Sequence, residues 1–231
     1  MSPLERELYN AVTNYVRNEF NRADRLDSDR RRGNVGFAMT VLQRRLASST
    51  AAIAASLTRR RERLENRLKA EPATATQPTE VDLDDLDEID DLPEAEAEAT
   101  TEQVVDEATA ARTLEELRAE IELLKFLEAL AERVRRDPDS DRKWQQLAQI
   151  MGGEILTDGN FNRRKFVIFT EHRDTLEYLV RRLRSLRGRH DAVVTIHGGM
   201  HREARKEAEE GFNFHPPRRR SCLAAICKSR L

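Results

Sequence analysis

Two strand-like runs, each breaking into a polar turn and then an amphipathic helix, stand back to back between Lys165 and Phe212. No other feature of the chain restricts its fold as tightly. The first strand, Lys165-Phe166-Val167-Ile168-Phe169, gives way to Thr170-Glu171-His172-Arg173-Asp174-Thr175. The second, Ala192-Val193-Val194-Thr195-Ile196, gives way to His197-Gly198-Gly199-Met200. Phe166 to Phe169 is apolar without alternation, which predicts a strand covered on both faces. Leu176, Leu179, Val180, Leu183 and Leu186 then recur at helical spacing, with Asp174 and Glu177 as a capping box and Gly188 as the stop. Two successive units of this kind predict neighbouring parallel strands, and such sheets bind ligands beyond the carboxyl ends of their strands. At those ends Thr170, His172 and Arg173 are suitable donors to phosphate oxygens. Gly198 and Gly199 would let a backbone approach closely and would offer amides at a helix start, where the dipole favours an anion. The residues alone also suit a plainer arrangement, in which Thr170 and Asp174 cap a helix, the glycines make a tight turn and His197 is a satisfied turn histidine.

Upstream, the chain is 35% charged and only 5% aromatic, which predicts long solvated helices. Ser2-Pro3-Leu4-Glu5 reads as a capping box with proline at the first helical position. Leu4, Leu8, Ala11, Val12 and Tyr15 follow on one face, until Arg30-Arg31-Arg32-Gly33 interrupts. A second helix places Val35, Ala38, Met39, Leu42 and Leu46 inward, and a third does so with Ile53, Leu57, Leu64 and Leu68. Thr113-Leu114-Glu115-Glu116 is another capping box, followed by Leu117, Ile121, Leu124, Leu127, Ala131 and Val134. Asp137-Pro138 ends that helix, and a short one spans Lys143 to Met151.

The formal charge of −2 hides a segregation. Residues 1–69 carry fifteen basic and eight acidic side chains, residues 70–111 fifteen acidic and no basic ones, and residues 112–231 twenty-five basic and nineteen acidic. Prolines, threonines and carboxylates make 70–111 a disordered acidic linker. Arg59, Arg60 and Arg63, with Arg61 and Arg67, form the strongest basic patch. A duplex backbone could gain from them through counterion release. Equally, they could pair with Glu62, Glu65 or the acidic linker.

Several chemistries are excluded. No Gly-x-x-x-x-Gly-Lys-Ser/Thr loop is present to cradle phosphates. Asp87-Glu88-Ile89-Asp90 spells a magnesium box, but carboxylates of this density cannot be buried in a sheet. Cys222 and Cys227 have no second pair to complete a zinc site. No nucleophile or cofactor loop suits a small phosphatase or a flavodoxin-like enzyme. With no signal peptide and no apolar run of about 20 residues, a cytoplasmic location without a membrane partner is expected.

The run Phe169-Thr170-Glu171-His172-Arg173-Asp174-Thr175-Leu176, then Ile196-His197-Gly198-Gly199-Met200 with Arg202 and Arg205, resembles the second RecA-like domain of superfamily 2 helicases. Within them it looks closest to the Snf-type, DNA-dependent ATPases. The first run matches helicase motif IV and the second the motif after it. Ser2 to Lys69 and Arg112 to Asp158 resemble the helical insertion between the two motor domains. The resemblance implies an α/β fragment, an incomplete RecA-like parallel sheet, preceded by an α-helical region with an acidic disordered linker. It divides the chain into insertion helices at 1–69, the linker at 70–111, further helices at 112–158, half of a RecA-like domain at 159–214 and an aberrant or truncated tail at 215–231. Thr170, His172, Arg173, His197, Gly198 and Gly199 would then contact nucleic acid, DNA in this family.

An intact member of the family uses ATP and magnesium. This chain would hold no cofactor itself, and the first motor domain would lie upstream or on a separate chain. The family continues after the second helix with a third apolar strand and the arginines that reach the γ-phosphate. Here His215-Pro216-Pro217-Arg218-Arg219-Arg220 follows, so a truncation or frameshift near Pro216 is expected, with no ATP hydrolysis by the chain alone. The alternative is a non-enzymatic helical protein that binds nucleic acid or serves as a scaffold.

Overall fold

The computed structural model describes residues 1–70, 94–152, 165–188, 193–214 and 223–227. They belong to two compact units, Met1–Asp141 and Arg142–Leu231.

The first unit is helical. In α1 (Pro3–Ala23) the capping box forms as the sequence predicts, with Glu5 N donating to Ser2 Oγ at 3.1 Å and Ser2 N to Glu5 Oε2 at 2.6 Å. The predicted break at Arg30 to Gly33 falls earlier. Ser28 Oγ accepts from Arg31 N at 3.3 Å and starts α2 (Asp29–Ser48), so the arginines occupy its first turns. A new cap, rather than the glycine, sets the boundary. After Ser49 comes α3 (Thr50–Ala70). Next among the described residues are α4 (Glu94–Glu107) and α5 (Leu114–Arg136). Thr113 Oγ1 accepts from Glu116 N at 3.2 Å, but Glu116 reaches back to Arg112 N at 2.6 Å, one residue before the cap, so the predicted box is only half closed. One apolar core joins these helices, with Val12, Val35, Leu42, Leu57, Leu124 and Leu127 fully buried.

Helix α4 corrects the disordered linker over residues 94–111. Val104, Val105, Ala108, Ala110 and Ala111 are buried in the core, and the carboxylates find arginine partners on α2 and α3. Local composition is overridden because the counter-charges lie more than forty residues away. Residues 71–93, including Asp87 to Asp90, lie outside the described residues.

The second unit runs α6 (Arg142–Gly152), β1 (Phe166–Thr170), α7 (Arg173–Arg187), β2 (Val193–Ile196), α8 (Arg202–Phe214) and β3 (Leu223–Cys227). The strands form a parallel sheet in the order β1-β3-β2. Phe166 pairs with Leu223 and Thr170 with Cys227 on one side; Val193 pairs with Leu223 and Ile196 with Ile226 on the other. This corrects two expectations. The strands after Lys165 and Ala192 are not neighbours, and within the 215–231 tail the apolar run Leu223 to Cys227 supplies the central strand.

A small core of Met151, Leu176, Val180, Leu183 and Val193 packs with Trp144, Leu147, Phe166 and Ile168. Helix α6, grouped from the sequence with residues 112–158, therefore shares the core of the α/β unit. Coverage of β1 on both faces is also corrected. Phe166 and Ile168 join the core, whereas Val167 and Phe169 stand 37% and 63% exposed. At the start of β1 Lys165 Nζ donates to Asn213 O at 2.8 Å and lies 5.2 Å from the Phe212 ring centre, tying the strand to the end of α8. Gly188 ends α7 at φ +63°, a conformation that costs a side-chain-bearing residue energy. Among the described residues no helix is long and apolar enough to cross a membrane.

Candidate nucleic-acid interface

Because the three strands are parallel, the segments following β1 and β2 leave from the same rim of the sheet. Thr170 is the last residue of β1, and its hydroxyl lies 3.5 Å from His172 O. His172, half-buried, is the N-cap of α7 and makes no side-chain cap hydrogen bond. The capping box predicted at Asp174 and Glu177 is thereby corrected: Asp174 already lies in the first turn, and Glu177 Oε1 accepts from exposed Arg173 Nε at 3.2 Å. After β2, Met200 N donates to His197 O at 3.1 Å and Arg205 Nη2 donates to the same carbonyl at 3.4 Å. The turn is thus pinned from its own helix.

The two segments meet. A Cβ built on Gly199 would lie 3.5 Å from His197 Nδ1 and 3.8 Å from Arg173 Nη1. The Arg173 guanidinium therefore sits beside the glycine turn that follows the other strand. Gly199 does not adopt left-handed backbone, and those contacts are of ordinary van der Waals length. Its value is the open approach it leaves beside Arg173, since strain does not demand glycine there. Of the predicted strand-end residues, Arg173, His197 and Gly199 are brought together directly. Thr170, His172 and Gly198 flank them in the same two segments.

The arginine patch on α3 behaves differently. Arg60 is fully buried: Nε donates to Tyr15 OH at 2.7 Å, Nη1 to Val105 O at 2.6 Å and Nη2 to Glu120 Oε1 at 2.7 Å. No phosphate can reach it, which corrects its assignment as a nucleic-acid contact. Burial opposes its charge, but Tyr15 and Glu120 outweigh that and raise its pKa. Arg59 pairs with Glu102 at 2.8 Å and Arg63 with Glu107 at 2.8 Å, both carboxylates on α4. Arg61 pairs with Glu128 at 2.5 Å and Glu65 at 2.9 Å. Arg59 is half-buried and Arg63 exposed, and each has its partner on α4. The pairing alternative is the one these contacts bear out.

Sequence reasoning missed the acidic half of this cluster. Glu19 and Glu120 are both buried. Glu19 continues the stripe of Leu8, Val12 and Tyr15 along α1, and Glu120 falls between Leu117 and Leu124 on α5. A carboxylate in register with an apolar stripe was the available signal. Among the described residues no group of three or more His, Cys, Asp or Glu side chains is placed to hold a metal ion. No protein-family model, curated protein or solved structure matches this chain.

Proposed function

We propose that the chain contributes nucleic-acid-strand contacts and an interdomain helical insertion to an ATP-dependent translocase of the Snf type, and does not hydrolyse ATP alone. The observation that carries this reading is the convergence of Arg173 on the Gly199 turn at one rim of a parallel sheet. Two connections that each place a helix between strands, with a third strand in the middle, agree with the first part of a RecA-like sheet. At the rim a guanidinium, two imidazoles and a helix N-terminus favour successive phosphate oxygens of one strand.

The direct test is fluorescence anisotropy with a labelled single-stranded oligonucleotide at several salt concentrations. Arg173→Ala is expected to weaken binding about tenfold and to lower the salt slope by about 0.7, the signature of one lost phosphate contact. Equal affinity and slope for the two proteins would overturn the assignment of the rim. ATP turnover should stay absent with or without DNA.

A second reading, a non-enzymatic helical scaffold, is favoured by one observation: the helical unit pairs Arg59, Arg60 and Arg63 with its own carboxylates and has its own apolar core. On that reading Arg173→Ala leaves oligonucleotide affinity and its salt dependence unchanged.

A further inference from the structure

Glu19 is buried without a full set of partners. Its side chain is 4% exposed, and Oε1 accepts from Arg22 Nη1 at 2.7 Å. Oε2 is buried and has no hydrogen-bond partner. Across the helix interface stands Glu120 on α5, whose oxygens take Arg60 at 2.7 Å, Tyr15 OH at 2.8 Å and Thr109 Oγ1 at 2.5 Å. Those donors are committed to Glu120. A carboxylate at Glu19 thus keeps one buried, unpartnered oxygen under the repulsion of a second carboxylate, a costly arrangement that a proton on Glu19 relieves. An open groove of 420 Å³ reaches both residues between α1 and α5, walled by Asn18, Arg22, Arg25 and Leu123. Water in that groove can deliver and remove the proton.

We propose that Glu19 is a proton-operated latch between α1 and α5, closed as the acid and loosened as the carboxylate. The charged and titratable groups bearing on it are Tyr15 and Arg22 on α1, Arg60 on α3, and Glu116 and Glu120 on α5. Helix α2 brings Arg31 to the carbonyls of Thr109 and Ala111, beside the residue that bonds Glu120. Burial first, and Glu120 second, push the Glu19 carboxyl up to about 7 against the opposing pull of Arg22 and Arg60. Its folded value thus lies above its unfolded one. The stabilisation is full below the ordinary carboxylate range and is lost as pH rises through about 7.

The test compares urea unfolding of the full chain with that of Glu19→Gln between pH 5 and pH 8.5. Asp106, raised by its own burial to about 6, is present in both proteins and cancels in the comparison. The ratio of the two unfolding constants, wild type over variant, should rise on the order of a hundredfold across this range, turning over near neutrality. Carboxyl-carbon NMR of the wild-type chain reads the same event without a variant, and the Glu19 signal should titrate near pH 7. A flat ratio, or a Glu19 signal that titrates in the ordinary range of exposed glutamates, overturns the latch.

Discussion

Replacing Arg60 by alanine should destabilise the helical unit by about 3–5 kcal/mol, the usual consequence of breaking a buried ion pair from one side. The side chain is fully buried and stacks 6.0 Å from the Tyr15 ring centre. Its removal takes a donor from three buried groups at once: the Glu120 carboxylate, which keeps only the neutral donors Tyr15 and Thr109, the Tyr15 hydroxyl and the Val105 carbonyl. Glu120 is left charged and buried without a counter-ion, and a cavity is added. Single domains are stable by only about 5–15 kcal/mol, so a large share of the margin is at risk.

Two further variants separate charge from shape. Arg60→Lys keeps the charge but cannot point a rigid fork at three acceptors, and it should recover only part of the loss. The pair Arg60→Met with Glu120→Leu removes both charges together and should be milder than Arg60→Ala, because no unpaired ion remains. Urea titrations followed by circular dichroism decide this. A loss below about 1 kcal/mol for Arg60→Ala would mean that Arg60 faces solvent, and would restore it as a candidate phosphate contact.

The run Arg59-Arg60-Arg61 shows where reading from sequence stops. Three consecutive arginines on a helix look identical one residue at a time, and none announces which will face inward. The helical stripes around them were legible: Leu117, Leu124, Leu127 and Val134 are buried as their spacing predicts. Position 60 is buried because Tyr15 and Glu120, from helices 45 and 60 residues away, present acceptors there. Helix α4 was illegible for the same reason, since an acidic run with no basic residue looks disordered until Arg45, Arg59 and Arg63 are placed beside its Glu102 and Glu107. At the rim, the strand-turn-helix pattern identified Arg173, His197 and Gly199, because turn chemistry is local. The pattern missed the strand between them. Leu223 to Cys227 is only five residues long and has one β-branched residue, Ile226, beside two alanines, so it lacks the composition that marks strands elsewhere. Sequential strands are neighbours more often than not, which made adjacency of the first two the natural expectation.

Ending the chain at Phe214 should therefore abolish the α/β unit. Among the described residues, β1 and β2 find their ladder partners only on β3, across five and four paired positions. Without it both strands present unpaired amides and carbonyls to water, and isolated strands of this length are not stable. In a proton–nitrogen correlation spectrum the signals of residues 166–212 should collapse towards random-coil positions. Those of residues 1–141, which have their own core, should keep their dispersion. Ala225→Pro tests the same point without shortening the chain: it pairs with Ile168 on one side and Thr195 on the other, and a central strand does not accept proline. Both variants should also lose oligonucleotide binding at the rim. Arg173 meets the Gly199 turn only while β1 and β2 are held in register by the strand between them, so a truncated chain that kept protected amides in both strands would dismantle the strand order and the rim built on it.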